Sequence, residues 1–336
     1  MADIAQRLPG TRPTAIWRNG VFAVAGLVTL GLVLHFSGPE RIAGLQNFLL
    51  IFNSLLLEAM PFILLGAIVS GVIEVFVPSS AFDRLTKLPR ALQLPAAGVA
   101  GFAFPVCDCG SVPVARRLAK KGLAPAAAVT FMLAAPILNP IVVASTFVAY
   151  RGRELMWPMV LGRIGLGLVT AIAVGWVVGD RTKDQLLQAA RPDEHEHNHG
   201  YGGSRWSALF GHIANDFLFM GRYLVLGALV AAALQTFVPQ SVLGSIADTP
   251  VVSLLAMMTL AAMLSICSES DAFVAASFVQ FGFAGQLAFL AFGPMVDMKL
   301  GFLYSGTFSP AFFRTVALVV GGMTLAGTLW IEVFLG

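Results

Sequence analysis

The chain is organised around Phe104-Pro105-Val106-Cys107-Asp108-Cys109-Gly110-Ser111-Val112-Pro113, a segment that interrupts apolar sequence. It contains two prolines, a glycine and a carboxylate between two cysteines. Four basic residues follow at once: Arg116, Arg117, Lys120 and Lys121. Proline removes a backbone donor and clashes with the preceding turn, so a plain helix is not expected here. The second such stretch is Cys267-Ser268-Glu269-Ser270-Asp271. The two stretches hold all three cysteines of the chain.

The composition predicts an all-α, polytopic membrane protein. The 336 residues are 57% hydrophobic and only 12% charged, and the mean hydropathy is +0.81. Soluble domains are about 25% charged. An odd number of cysteines in apolar sequence argues against a disulfide framework. Nucleic-acid binding has no support, and the absence of a GxxxxGK[ST] loop argues against ATP hydrolysis by this chain. We expect neither an enzyme nor a bound cofactor.

Apolar runs of roughly 20 residues or more predict membrane-spanning helices. We expect about nine of them, together with two re-entrant or broken hairpins at the cysteine-containing stretches. The clearest runs are Trp17–Phe36, Gln46–Val77, Pro125–Tyr150, Trp157–Val178, Ser207–Val238, Gly282–Ser305 and Ala311–Leu335. Residues 78–95 are predicted as an amphipathic surface segment. Leu94–Pro105 is apolar but too short to cross.

An internal repeat organises the chain. Leu65-Gly66-Ala67 and Leu226-Gly227-Ala228 lie 161 residues apart, and Cys107 and Cys267 lie 160 apart. With a two-residue gap, Pro136 aligns with Pro294 and Asn139 with Asp297. The predicted organisation is an N-terminal tail and extra first span (1–45), repeat unit 1 (46–179), a cytoplasmic His-rich linker (180–206) and repeat unit 2 (207–336).

The distribution of basic residues indicates how the two units are oriented. Lysine and arginine accumulate on the cytoplasmic side, which places residues 78–95 and 116–121 inside and makes the first broken motif re-entrant. The N-terminus and the linker then also lie inside, and residues 239–249 lie outside. The two units start in opposite directions, so the repeat is inverted. Inverted repeats with discontinuous helices are the plan of secondary transporters.

Irregular backbone at membrane depth is tolerated where it lines a cavity or is buried in protein, so the broken segments are expected to converge on one site. The predicted breaks lie at Pro105, Gly110, Pro113, Pro136, Pro140 and Pro294. The predicted substrate-binding residues are Cys107, Asp108, Cys109, Asn139, Cys267 and Asp297, because thiolates are soft ligands and three of them could form a trigonal set. Ionisable groups inside a membrane indicate function, and Glu58, Glu269 and Asp271 are the candidates for proton coupling.

Structural roles stay open for several of these residues. Asp108, Glu269 and Asp271 could cap the re-entrant half-helices through backbone N–H groups. Asn139 and Asp297 could serve only to satisfy carbonyl groups that the nearby prolines leave without a partner. Arg163 lies near a span end, where it would snorkel or pair. His195, His197 and His199 in the linker could bind a metal, since imidazole suits zinc, copper and nickel, or could form a solvated loop.

The segment FPVCDCGSVPVARRLAKKG, followed by FMLAAPILNP, resembles the ArsP/YraQ-type predicted permeases. The likeness extends over most of residues 46–330. It implies an inner-membrane permease, and characterised members export trivalent organoarsenicals such as methylarsenite. The cysteines of the family motif fall on Cys107 and Cys109.

The sequence therefore predicts a permease that carries out proton-coupled efflux of a thiophilic substrate by alternating access. A transmembrane thiol–disulfide electron carrier stays open as an alternative, in which Cys267 would pair with Cys107 or Cys109. A permease for another small substrate or metal ion is the third reading. The expected partners are the lipid bilayer and a small-molecule or soft metalloid substrate. A homo-oligomer and a soluble donor or acceptor protein stay open.

Overall fold

The computed structural model describes residues 43–78, 88–104, 106–179, 186–187, 205–237 and 250–335. Regular structure in these residues is helical, and the one pairing of extended backbone is an antiparallel bridge between Leu187 and Phe308. The chain divides into two compact units after Ile51, and every contact described below lies within the second, Phe52–Gly336. The all-α prediction is confirmed for the described residues.

The described residues form twelve α-helices, which we number in chain order. Those before the linker are α1 (Ala43–Phe76), α2 (Arg90–Ala100), α3 (Asp108–Lys120), α4 (Pro125–Leu138), α5 (Pro140–Ala149) and α6 (Met156–Val178). Those after it are α7 (Arg205–Phe237), α8 (Pro250–Leu264), α9 (Asp271–Ser277), α10 (Phe283–Phe292), α11 (Met298–Thr307) and α12 (Pro310–Leu335).

Five segments of the described chain are long and apolar enough to cross a membrane. They are Gly44–Phe76, Pro125–Ala149, Met156–Val178, Arg205–Thr236 and Pro310–Phe334. Large apolar side chains face outward on them, and Leu57, Leu161 and Val333 are 76%, 63% and 75% exposed, as expected of helices that are apolar all round because they contact lipid. The multi-pass prediction is confirmed, whereas the count of about nine stays a prediction. The first predicted span, Trp17–Phe36, lies outside the described residues.

Both predicted broken motifs separate two short helices. In the first, α2 passes into a 3-10 turn at Gly101–Ala103, and α3 begins at Asp108 after an extended Cys107. Part of the predicted surface segment 78–95 is helical, because α2 begins at Arg90 directly after Pro89; residues 79–87 lie outside the described residues. In the second motif α8 ends at Leu264, and α9 has only seven residues.

The predicted backbone breaks differ in their outcome. Pro140 starts α5 directly after Asn139, and Pro294 lies in the turn between α10 and α11. Gly110 and Pro113 lie instead within α3, and Pro136 lies within α4 three residues before Asn139. Pro113 is the sixth residue of α3. It removes the bond that its position would otherwise donate to the Cys109 carbonyl, and the helix continues past it. Pro105 is outside the described residues.

The helices on the two sides of the linker pack in matching pairs. Before the linker α4 contacts α2, α3 and α6; after it, α10 contacts α8, α9 and α12. Four of the larger contacts cross between the sets: α3 with α11, α5 with α9, and α6 with both α10 and α12. The window of apolar residues in Pro125–Ala149 is 83% buried. The α4–α5 segment therefore lies at the centre of the described structure.

Candidate functional site

The start of α3 brings two thiols and a carboxylate together. Cys107 is the N-cap, Asp108 and Cys109 are the first helical residues, and all three side chains are buried. Their ligand atoms lie within 4.8 Å of one another, and the Cys109 thiol donates to Asp108 Oδ2 over 3.8 Å. Asp108 stands in the first turn of the helix, where the helix dipole stabilises a negative charge.

The second broken motif also lies close to the Asp108 carboxylate, although it is far away in sequence. Asp108, Cys267 and Glu269 also place their ligand atoms within 4.8 Å of one another. Asp108 is thus shared by two groups of ligands, one from each broken motif. All three cysteines are free and buried. Among the described residues, neither group contains all three sulfur atoms, so the predicted trigonal thiol set is not assembled as one cluster in this conformation.

A lysine that the sequence reading missed lies in this site. Lys299, in the first turn of α11, is fully buried, and its Nζ lies 3.7 Å from Cys267 Sγ. It also interacts electrostatically with Asp108, Cys109 and Asp297. A lone lysine in apolar sequence is a signal for function in a membrane segment, and that signal was available at this position.

Asn139 and Asp297, predicted as substrate ligands, each cap a helix. Asn139 Oδ1 accepts the Ile141 N–H over 3.0 Å at the start of α5, and Asp297 Oδ1 accepts the Leu300 N–H over 2.6 Å at the start of α11. Both residues are buried. The second polar atom of each, Asn139 Nδ2 and Asp297 Oδ2, has no hydrogen-bond partner within the described part of the chain and remains available to a ligand.

The predicted coupling carboxylates have different surroundings. Asp271 forms an ion pair with Arg163 over 2.7 Å, and both residues are buried. Glu58 on α1 accepts the Ser270 hydroxyl over 2.6 Å. Glu269 accepts a long 3.4 Å hydrogen bond from the Ser268 hydroxyl on one oxygen, and its other oxygen has no partner among the residues that the structure describes. Glu269 is therefore the least engaged of the three.

Arg163 is a buried anchor rather than a snorkelling residue. Besides Asp271, its guanidinium donates to Thr146 Oγ1 over 2.8 Å and to the Ser268 carbonyl over 3.2 Å. It connects α5, α6 and the second broken motif, and it holds the segment that contains Cys267 and Glu269. Its neighbours in sequence are apolar, so only the packing reveals this role.

A second charged cluster lies near the C-terminal end of α3. Arg117 contacts Asp216 over 2.9 Å and Glu74 over 3.3 Å. Lys121 Nζ donates to the carbonyls of Glu74 and Val77 over 2.5 and 2.9 Å and so caps the end of α1. The predicted basic segment is thereby attached to α1 and α7. The histidines at 195, 197 and 199, predicted as a weak metal site, lie outside the described residues.

Comparisons with known proteins identify relatives that cover most of the chain. A protein of Bacillus subtilis named "UPF0718 protein YcgR" is 41% identical over 286 residues, which are 84% of this chain and 96% of the relative. A protein of Streptococcus mutans named "Putative two-component membrane permease complex subunit" is 36% identical over 267 residues, 79% of this chain and 88% of the relative. No solved structure matches. The model of the ArsP_1 family, described as "Predicted permease", matches residues 44–332, and the chain therefore belongs to this family of membrane transporters.

Proposed function

We propose that this protein is an inner-membrane permease that exports a thiophilic substrate, such as a trivalent arsenical or organoarsenical, in exchange for protons. The family and the multi-pass helices support a transporter rather than an enzyme. The substrate, the direction and the coupling ion are our inference from the site.

The observation that carries the proposal is the pair of ligand groups that share Asp108. Cys107 and Cys109 approach Asp108 from one broken motif, and Cys267 and Glu269 approach it from the other. Soft thiol ligands favour soft, thiophilic species over hard cations. Such a ligand could bind first at one group and then engage the other without leaving the neighbourhood of Asp108.

We further propose that the helices form two inverted halves that alternate around this site. The matching contacts before and after the linker support this proposal, and so does the pair of crossing contacts α3–α11 and α9–α5, which join corresponding helices of the two halves. In this reading the two broken motifs are re-entrant, the N-terminus is cytoplasmic, and the Arg117–Asp216–Glu74 cluster lies at the cytoplasmic end.

Among the predicted coupling residues, Glu269 is the best proton carrier. Asp271 is held by Arg163, whereas one oxygen of Glu269 has no hydrogen-bond partner among the described residues. A carboxylate oxygen of Glu269 also lies within 4.8 Å of Cys267 Sγ. A proton bound there would neutralise charge beside Cys267 and Asp108. We therefore assign the exchange of a proton against the substrate to Glu269.

A soluble or membrane partner would extend this function. The Streptococcus mutans relative is named as a subunit of a two-component permease complex. We propose that this chain also works with a second component and that the basic segment 116–121 lies on the side from which a cytoplasmic partner would approach.

The test is uptake of methylarsenite and arsenite into everted membrane vesicles, with and without a proton gradient. We expect accumulation by the unaltered protein, loss in Cys107→Ser/Cys109→Ser, and collapse when the gradient is dissipated. Thr259→Ala is a suitable control, because this exposed hydroxyl only bonds to the Leu255 carbonyl of its own helix. Accumulation that survives removal of both thiols would refute the thiol-based site.

The same vesicles distinguish the electron carrier. That function requires a redox-active disulfide between Cys267 and Cys107 or Cys109, whereas all three thiols are free in the structure. Trapping thiols with an alkylating reagent before denaturation and mapping by mass spectrometry would detect such a bond. Finding it in membranes would move the assignment from permease to electron carrier.

A further inference from the structure

Lys299 is a buried charged residue of the site, and among the described residues there it is the one to which the proposed thiol chemistry assigns no role. Lysine is almost never fully buried unless it is paired, and removing an ammonium from water costs several kcal/mol unless nearby negative groups compensate it. Lys299 is 0% exposed, and its Nζ lies against Cys267 Sγ. The surrounding groups are Asp108, Cys109 and Asp297. The ammonium therefore occupies the negative centre of the site.

The backbone that carries this ammonium is fixed from several directions. Asp297 caps the helix start, and the Met298 N–H donates to Ser265 Oγ over 3.1 Å. On the opposite side Gly227 of α7 touches the lysine backbone so closely that a Cβ there would lie 2.8 Å from Lys299 Cα. The side chain retains its flexible four-carbon stem. The ammonium of Lys299 is therefore carried by a flexible side chain on a backbone that is held in place.

Several acceptor oxygens of the site receive no hydrogen bond from the described residues. Asp108 Oδ1, Glu269 Oε1 and Asp297 Oδ2 are buried and have no hydrogen-bond partner among the described residues. A buried acceptor without a partner is costly, so these oxygens favour the arrival of a group that carries positive charge or donates protons. They come from three elements: the start of α3, the second broken motif and the start of α11.

We propose that Lys299 is an internal cation that occupies the site when no substrate is bound and that competes with the substrate for Cys267 and Asp108. The ligand that replaces it is a soft species whose thiol-binding atom is electropositive, such as a soft metal cation or trivalent arsenic. Displaced from Cys267, the ammonium can turn to the free oxygen of Asp297 on its own helix. This inference rests on the proposed permease function and specifies how that site releases its substrate.

An internal competitor has a purpose in transport. A ligand must bind well enough to enter and weakly enough to leave. Two thiols beside several carboxylates, with no cation among them, would hold a soft cation too tightly for rapid turnover. Return of the ammonium to Cys267 lowers the affinity at the moment of release.

The experiment uses Cd²⁺ as the probe and compares the full chain with Lys299→Met and Lys299→Arg in detergent micelles. Binding is followed through the sulfur-to-cadmium absorption, and transport through uptake of the same ion into vesicles. We expect Lys299→Met to bind Cd²⁺ at least about tenfold more tightly, because one positive charge near the ion has been removed. Its turnover should fall. Lys299→Arg keeps the charge and should keep the weaker affinity.

Equal or weaker Cd²⁺ binding by Lys299→Met overturns the proposal, and so does the absence of binding by every variant. If Lys299→Met does not fold, Lys299→Gln and the thermal stabilisation of each protein by Cd²⁺ give the same comparison. The proposed function fails differently: in that case Cys107→Ser/Cys109→Ser binds and transports as well as the unaltered protein, whatever residue 299 is.

Discussion

Arg163→Met is the substitution whose effect the structure defines most fully. The guanidinium makes a buried 2.7 Å ion pair with Asp271 and two further bonds, to Thr146 and to the Ser268 carbonyl. Removing one partner of a buried pair leaves the other charge uncompensated, which typically costs about 3–5 kcal/mol. At about 2.1 cal/mol/K of unfolding entropy per residue, this corresponds for the 336-residue chain to a decrease of roughly 4–7 °C in the unfolding midpoint.

The assay is thermal unfolding in detergent micelles at a fixed scan rate, followed by circular dichroism. Arg205→Met is the matched control, since Arg205 is exposed at the start of α7, and its loss should change the free energy of unfolding by no more than about 0.5 kcal/mol. In Arg163→Met/Asp271→Asn the unpaired charge is gone, and we expect at least half of the stability to return. A double variant that is no more stable than Arg163→Met would show that the charge of Asp271 is not the source of the loss.

Three further outcomes follow from contacts in the described residues. Gly227→Ala places a Cβ 2.8 Å from Lys299 Cα and should cost about 1–3 kcal/mol of unfolding free energy. Gly221→Ala on the same helix, where no atom lies within 4 Å of the added Cβ, should lose no stability in the same thermal assay. Asp297→Ala should cost about 1 kcal/mol of unfolding free energy, because the cap on the Leu300 N–H is lost. Asp297→Asn should recover most of this free energy, and equal losses in the two variants would argue against a capping role. The three thiols are buried. A maleimide should therefore modify them at least about tenfold more slowly in micelles than after denaturation, as measured by mass spectrometry. Fast labelling of Cys107 would contradict this burial.

Much of the fold could be predicted because apolar run length alone determines where a membrane helix can lie. The predicted runs at Trp157–Val178 and Ala311–Leu335 differ from α6 and α12 by one residue at the start. The two broken motifs were predicted at the right places because prolines and ionisable residues interrupt apolar sequence there. The details of the breaks were not predictable in the same way. Whether Pro113 ends a helix or lies inside one depends on where the helix begins.

The candidate site was only partly predictable. Cysteines and carboxylates clustered in sequence announced both broken motifs, and the structure brings Asp108 close to Cys267 and Glu269 across 159 and 161 residues of chain. Arg163 and Lys299 were harder to assign, because each is a single charge in an apolar helix. Sequence spacing does not say whether such a charge points to the membrane surface or into the protein. Packing decides it, through Asp271 for one and Cys267 for the other.

The balance of charge connects these observations with the proposed mechanism. Five carboxylates lie around the broken motifs, those of Asp108, Glu269, Asp271, Asp297 and Glu58, whereas the buried cations among the described residues are Arg163 and Lys299. Arg163 is paired with Asp271, so the single ammonium of Lys299 is left for the other four. Uncompensated charge in a membrane interior is costly. The remaining negative charge therefore has to be neutralised by protons, and it favours a substrate whose thiol-binding atom is electropositive. A site that accepts either one is a site at which the two can exchange.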